Sequence, residues 1–300
     1  MVLSRNQGRN KVRPDVSHWR GRATAKRNME IDMTDKPKPR PDGVGTLIQY
    51  EREGNVAIVT LNRPEKRNAV SPELAEALDW VVKDVEADDY IWVAILTSSN
   101  DKTFCAGADL KAISEGKGHL LSTKDGGFAG YASSKRKKPW IAAVKGSALA
   151  GGMELALASD MVVADSAARF GLPEVKRSLV AAAGGVHRLA RRVPQAIAME
   201  MIATGDPIDA KTAHQHGLVN RIVPIDRVLD EARSLAKQIA ANAPIAVRES
   251  LSVTRQAFDA TDAELMNAGL QAFGRVAQTE DMREGPMAFL QKRAPVWKGR

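Results

Sequence analysis

The chain of 300 residues is 44% hydrophobic and 27% charged, an ordinary globular composition, and is long enough for one large domain or two smaller ones. No uninterrupted apolar stretch approaches the ~18 residues that span a bilayer, which argues against a membrane partner. A single cysteine, Cys105, excludes an internal disulfide and fits a reducing compartment, so we expect a cytoplasmic protein.

The net charge of +8 is concentrated at the amino terminus. Residues 1–40 carry +7, which leaves +1 for residues 41–300. Residues 1–43 lack apolar periodicity and are predicted to form a disordered basic extension. Its Arg-rich, acid-poor composition also allows an organellar transit peptide and a matrix location. Nucleic-acid binding by this extension is the weaker interpretation, because Trp19 is its only aromatic residue for base stacking.

From residue 45 the predicted strands and helices alternate. Val56–Leu61 has the composition of a strand, and Ser71 with Pro72 marks the start of a helix by supplying an N-cap and a first-turn proline. Residues 92–96 are apolar throughout, as expected for a strand covered on both faces. Two further strands are predicted at Trp140–Val144 and 161–164. This alternation predicts an α/β core.

After about residue 193 the pattern becomes nearly continuous helix. The predicted helices are 194–204, 210–216, 225–241, 244–257 and 263–278. We therefore predict three parts: the extension 1–43, an α/β core 44–240, and a helical region 241–300. Apolar positions such as Leu270 and Phe273 in the last part need a partner surface, on the core or on a neighbouring subunit.

Two turns of small residues follow predicted strands and lead into predicted helices. One spans residues 103–110 and opens a helix at Asp109, and the other spans residues 148–152. The first amides of a helix lack intrahelical acceptors and lie at the positive end of its dipole. The amides of Ala108 and Gly151 can therefore together bind a developing enolate oxygen, each such donor being typically worth ~3 kcal/mol in a transition state.

Two glutamates follow these turns. Glu154 lies in the first helical turn after Gly151, and Glu174 follows Pro173 in a predicted loop. Alone, the first is explained by the helix dipole and the second by surface exposure. Beside an anion-binding turn, however, paired carboxylates can divide the work of activating water and moving a proton. The histidines have too few neighbouring ligands to predict a metal site.

Six segments, in their order and spacing, resemble the crotonase or enoyl-CoA hydratase/isomerase superfamily. They are residues 61–69, 104–110, 146–154, 170–175, 205–219 and 289–293. The resemblance covers most of residues 45–300 and implies a spiral of β-β-α turns with a C-terminal helical trimerisation region, in a homo-trimer or hexamer. It implies an acyl-CoA thioester substrate whose carbonyl lies between the amides of Ala108 and Gly151. It requires no metal or redox cofactor, coenzyme A being part of the substrate.

The resemblance also assigns roles. It implies an enoyl-CoA hydratase in which Glu154 activates water and Glu174 delivers a proton to the α-carbon. The substrate or CoA positions that it implies are Lys66, Arg67, Asn68, Ala69, Ala106, Asp109, Leu110, Lys111, Ala182, Phe289 and Lys292. Two departures are Ala150 and Ala182, where the family often has glycine. Alternatives are a double-bond isomerase, a carnitinyl-CoA dehydratase-like enzyme, and an RNA-binding homologue that uses the basic extension.

Overall fold

The computed structural model describes residues 39–300. Residues 1–38, which include most of the predicted disordered extension, lie outside the described residues. The last part of that prediction, residues 41–43, forms a turn in which the Val44 N–H donates to the Pro41 carbonyl at 3.0 Å. Arg40–Arg300 group into one compact unit. The predicted division at residue 240 falls between two helices and stays a prediction.

The secondary structure comprises twelve strands and ten α-helices in residues 39–300. The strands are β1 Ile48–Glu53, β2 Val56–Leu61, β3 Val93–Ser98, β4 Thr103–Cys105, β5 Ser122–Thr123, β6 Gly127–Phe128, β7 Trp140–Val144, β8 Ser147–Leu149, β9 Met161–Asp165, β10 Arg169–Gly171, β11 Ile208–Asp209 and β12 Arg221–Val223. The helices are α1 Pro72–Ala87, α2 Leu110–Ser114, α3 Gly151–Ala158, α4 Gly185–Arg192, α5 Gln195–Thr204, α6 Ala210–Gln215, α7 Val228–Ala240, α8 Pro244–Thr254, α9 Asp262–Val276 and α10 Asp281–Leu290.

The main sheet has the strand order β1-β2-β3-β7-β9-β12, and only β1 is antiparallel to its neighbour. Every residue of β3 and β7 is buried. Their alternate side chains enter two cores, one shared with α1 and the other with α7, which explains why these strands are apolar throughout. A second sheet, β11-β10-β8-β4, carries the two turns of small residues.

The predicted α/β class is confirmed, and several elements agree closely with their predictions. The strands Val56–Leu61 and Trp140–Val144 have the predicted bounds, and the Ser71 hydroxyl accepts the Leu74 N–H at the start of α1. The predicted helix 225–241 is instead a short 3-10 helix, Ile225–Arg227, followed by α7. The short strands β4, β5, β6, β8, β10, β11 and β12, the first strand β1 and helix α10 were not predicted.

Arg255 joins the helical C-terminal region to the core. Its guanidinium bonds to both carboxylate oxygens of Asp160 at 2.8 Å and donates to the carbonyls of Arg136 and Lys138. Asp160 lies just beyond α3, so the end of that helix is fixed from the C-terminal region. Among the described residues, no helix combines the length and apolar character needed to cross a membrane.

Candidate active site

The turn before α2 is held by the loop after β2. Asn68 is fully buried, and its side-chain amide donates to the carbonyls of Thr103 and Phe104 at 3.3 and 3.0 Å. The Val70 N–H donates to the Gly107 carbonyl at 2.8 Å. Asn68, predicted at the CoA path, therefore fixes the backbone just before Ala106, and the Val70 N–H fixes the Gly107 carbonyl just after it.

The two turns of small residues lie against each other. A Cβ at Gly107 would lie 2.9 Å from the Gly151 nitrogen, and the φ of +93° at Gly107 also favours glycine. Within residues 39–300, the amides of Ala108 and Gly151 have no hydrogen-bond acceptor, whereas their neighbours Asp109 and Ala150 each donate to a backbone carbonyl. The arrangement leaves two backbone donors available at the start of α2 and α3.

Ala150 sets the entry into α3. Its N–H donates to the Gly171 carbonyl at 3.0 Å, and its own carbonyl accepts the Glu154 N–H at 3.1 Å. Its φ of 52° and ψ of −127° lie in a region that glycine adopts more easily than alanine. Ala150 is therefore strained at the position that orients the Gly151 amide.

The Ala150→Gly substitution is expected to raise the free energy of unfolding by about 1 kcal/mol. Relief of backbone strain, about 1–3 kcal/mol, exceeds the added entropy cost of glycine, about 0.5–1 kcal/mol. Chemical denaturation beside an Ala106→Gly control tests this, since Ala106 has no positive φ and should be destabilised by glycine. An Ala150→Gly protein less stable than the parent contradicts the strain.

Glu154 points into the protein from the first turn of α3. It is 4% exposed, and its Oε1 accepts the Gly185 N–H at 3.0 Å. Burial raises the pKa of Glu154 to about 7, against the lowering effect of the amides of Gly185 and Ala183 and of the Arg188 charge, while the charge of Glu174 raises it further. This carboxyl can therefore exchange a proton near neutral pH.

Glu174 lies in a 3-10 helix, Pro173–Arg177, rather than in the predicted loop. Burial raises the pKa of its carboxyl, while its own backbone N–H and the charge of Arg177 lower it. Its Oε2 is buried and has no hydrogen-bond partner among the described residues. The charge of Glu174 raises the pKa of Glu154, so the two carboxyls belong to one electrostatic environment. A buried oxygen without a partner is suited to bind a substrate or a water molecule.

The N-terminus of α2 is anchored by an ion pair. The Asp109 carboxylate accepts the Lys111 N–H at 2.9 Å and bonds the Arg63 guanidinium at 2.7 Å. Arg63 also donates to the Ala69 carbonyl, which ties the loop after β2 to α2. Hydrogen bonds from Arg63 and Lys111 hold the pKa of Asp109 below its usual value despite burial. Asp109 is therefore an anchoring carboxylate next to the Ala108 amide.

The other predicted positions divide into two groups. Lys66, Arg67, Leu110 and Lys111 are exposed on the loop after β2 and on α2, and Ala182 is exposed in the segment before α4. Phe289 and Lys292 are exposed at the end of α10, and no contact joins them to the turns in the described chain. The structure thus brings the turns and glutamates together, and leaves the C-terminal pair apart from them within one chain.

Three contributors to the site were missed. They are Phe128, whose ring lies 2.6 Å from where a Gly151 Cβ would be, the amides of the Ala183–Gly185 turn, and Arg188. The Gly184-Gly185 dipeptide was the available signal, since such a turn at the start of a helix can present amides to an anion. Burial raises the pKa of the Cys105 thiol to about 12, so this buried thiol stays protonated.

Comparison with known proteins identifies relatives over nearly the whole described chain. The sequence model of the enoyl-CoA hydratase/isomerase family matches residues 51–300. The carnitinyl-CoA dehydratase of Proteus mirabilis is 41% identical over 258 residues, which is 84% of this chain and 98% of that protein. That of Escherichia coli K12 is 40% identical with the same coverage.

Two solved structures show the same fold. The enoyl-CoA hydratase of Mycobacterium tuberculosis H37Rv is 39% identical with a TM-score of 0.81, covering 85% of this chain and 99% of that chain. The carnitinyl-CoA hydratase of Mycobacterium avium is 43% identical with a TM-score of 0.68 and the same coverage.

Proposed function

The chain belongs to the enoyl-CoA hydratase/isomerase family, and we propose that it reversibly adds water to a trans-2-enoyl-CoA to give a 3-hydroxyacyl-CoA. Its relatives are hydro-lyases. The observation that carries the proposal is the pair of Glu154, whose carboxyl is buried, and Glu174, whose Oε2 is buried without a partner among the described residues, in a chain whose Ala108 and Gly151 amides are left without an acceptor. Enzymes that move protons place such pairs in environments that separate their roles.

The proposed reaction uses each group once. The thioester oxygen accepts hydrogen bonds from the amides of Ala108 and Gly151. Glu154, ionised, takes a proton from water as the water oxygen bonds to C3, and the electron pair of the double bond moves onto the thioester as an enolate. Glu174, protonated, then gives its proton to C2 as the carbonyl re-forms. Dehydration follows the same steps in reverse, and the amides stabilise the enolate in both directions.

The pH dependence of kcat/KM is expected to be bell-shaped, with its alkaline limb near pH 7. The active pair carries one proton: with two protons the base is lost, and with none the acid is lost. The pair titrates in two steps, and its reactive form is the one whose single proton lies on Glu174. The upper step lies near pH 7, the pKa of Glu154, and the lower step lies above the ordinary value of a glutamate because burial raises the pKa of Glu174. Initial rates from pH 4.5 to 9.5 test this. A rate that stays constant from pH 6 to 9 contradicts it.

The identity of the acyl group needs a test of its own, because carnitinyl-CoA dehydratases are among the similar proteins. Purified protein should be assayed with enoyl-CoAs of graded chain length and with crotonobetainyl-CoA, monitoring loss of the conjugated double bond. We propose a hydratase of simple enoyl-CoAs; a kcat/KM at least tenfold higher for crotonobetainyl-CoA would assign the carnitinyl activity instead. Incubation of a 3-enoyl-CoA in heavy water tests isomerisation, which would yield deuterated 2-enoyl-CoA.

We also propose that the chain assembles as a homo-trimer or a hexamer of two trimers. The support is an apolar stripe on α9, where Met266, Leu270 and Phe273 are 63%, 68% and 60% exposed and share one face at helical spacing. A stripe of this kind left to solvent marks an interface. Light scattering of the parent and of Leu270→Asp distinguishes a trimer from its monomer, and a monomeric parent rejects the proposal.

A further inference from the structure

Glu154 depends on a short turn for the backbone hydrogen bond to its carboxylate. The amides of Ala183 and Gly185 act on its carboxylate, and the Gly185 N–H lies 3.0 Å from Oε1. This turn precedes α4, and Gly184 adopts a left-handed φ of +109°. The position of the Glu154 carboxylate is therefore set by the conformation of three residues outside its own helix.

Arg188 covers this turn from one helical turn further along α4. Its Nη1 donates to the Ala183 carbonyl at 3.1 Å, and its backbone N–H donates to the Gly184 carbonyl at 3.0 Å. A Cβ at Gly184 would lie 2.7 Å from the Arg188 Cζ, so the guanidinium packs directly against this glycine. The side chain and backbone of Arg188 thus fix two consecutive carbonyls of the turn.

The charge of Arg188 also reaches the carboxyl. It favours the ionised form of Glu154, whereas Glu174 from the 3-10 helix disfavours it. Among the charges with the largest effects on Arg188, Glu154 is an anion and the other three are the cations Arg136, Arg191 and Arg192. The Arg188 guanidinium is half-buried among other cations, and the Glu154 carboxylate stabilises its charge.

The other groups near this carboxyl do not supply the same effect. Arg191, on the same helix, pairs with Asp259 at 2.6 Å, and Arg192 donates to the Ser159 carbonyl at 2.5 Å. Burial lowers the pKa of His187, so this histidine is neutral at pH values where an ordinary histidine is still partly charged. The Cys105 thiol, on the neighbouring strand β4, stays protonated because burial raises its pKa to about 12.

We propose that Arg188 is a positioning residue for the acid/base chemistry: it holds the Ala183–Gly185 turn so that the Gly185 amide meets the Glu154 carboxylate. The inference rests on the proposed role of Glu154 as the base. It assigns to Arg188 no contact with the substrate.

The test compares two variants. Arg188→Met removes the charge and the guanidinium donors at a similar side-chain length, whereas Arg188→Lys keeps the charge. Arg188→Met is expected to lower kcat for hydration about 30-fold with KM within about twofold, since a small misplacement of a catalytic group costs up to ~100-fold. Loss of the cation stabilises the protonated carboxyl, so the alkaline limb of kcat/KM should move about one pH unit higher. Arg188→Lys should keep the limb near its original pH and recover only part of kcat.

Arg191→Met is the matched control, because it removes a cation from the same helix without a contact to the turn. Its kcat and pH profile should match the parent. An unchanged limb in Arg188→Met, or the same loss in Arg191→Met, overturns the proposal. If the parent protein does not hydrate any enoyl-CoA, the proposed function fails separately. The carboxyl pKa of Glu154 measured by carbon NMR in the parent, Arg188→Met and Arg188→Lys proteins then decides the role of Arg188 directly, and Arg188→Lys serves alone if Arg188→Met does not fold.

Discussion

The Glu154→Gln substitution is expected to lower kcat for hydration of crotonyl-CoA by about a thousandfold, because an amide cannot accept the proton of the attacking water. Glu174→Gln should cause a loss of similar size, since its amide cannot protonate C2. The dissociation constant of a non-reacting acyl-CoA should stay within about threefold in both variants, because neither carboxyl holds the CoA portion. Steady-state kinetics and calorimetric titration separate the two effects.

Glu73→Gln is the matched control for Glu154→Gln. Glu73 also lies in the first turn of a helix, but it is exposed and its pKa is lowered, chiefly by a hydrogen bond with Ser71. Its replacement should leave kcat unchanged. Full activity in either Glu154→Gln or Glu174→Gln would reject the assigned pair of roles.

Glu154→Gln should gain stability while it loses activity. The folded-state pKa of Glu154, about 7, lies above the unfolded value of 4.5, so folding favours the protonated form. Its stabilising contribution is fully present below pH 4.5 and is lost as the pH rises through 7. Glutamine stays uncharged and can accept the Gly185 N–H. Denaturation at pH 8 should therefore show Glu154→Gln more stable by about 3 kcal/mol, with little difference at pH 4.

Much of the central fold could be predicted because local signals and burial agree there. The Ser71 cap and the fully apolar strands β3 and β7 follow rules of short range. The unpredicted strands are only two to six residues long, and their pairing depends on partners distant in sequence, such as β8 with β4 and β10. Helix α10 contains Pro286, which normally indicates a helix end, and was missed for that reason.

The candidate site shows the same division. Glu154, Ala108 and Gly151 were accessible from sequence because each stands at a recognisable turn between a strand and a helix. The sequence could not show that Glu154 receives amides from Gly185, 31 residues away, or that Arg188 covers that turn. The first of these contacts arises only when α3 and α4 pack together, and the second depends on the conformation of the turn itself. Long-range packing thus supplies the environment that raises the pKa of a glutamate whose position was already evident.

The second large effect is expected for Gly151→Ala, which should lower kcat about 100- to 1,000-fold through loss of one enolate donor. A Cβ there would lie 2.6 Å from the Phe128 Cζ and 3.2 Å from the Gly107 Cα. Alanine itself suits a helical first turn, so the backbone tolerates the change and the collision must shift the start of α3 or the Phe128 ring. Either movement displaces the Gly151 amide or the surface that the substrate faces.

Two companion variants separate these causes. Gly118 begins a 3-10 helix, and a Cβ there would meet only Ile113, at an ordinary 3.7 Å. Gly118→Ala should therefore keep the parent kcat. The double variant Gly151→Ala with Phe128→Ala removes the ring, and recovery of kcat would show that the collision moved the amide. The circular dichroism and acyl-CoA affinity of each variant establish that it is folded. A Gly151→Ala protein with the parent kcat would remove this amide from the mechanism and leave Ala108 as the sole proposed donor.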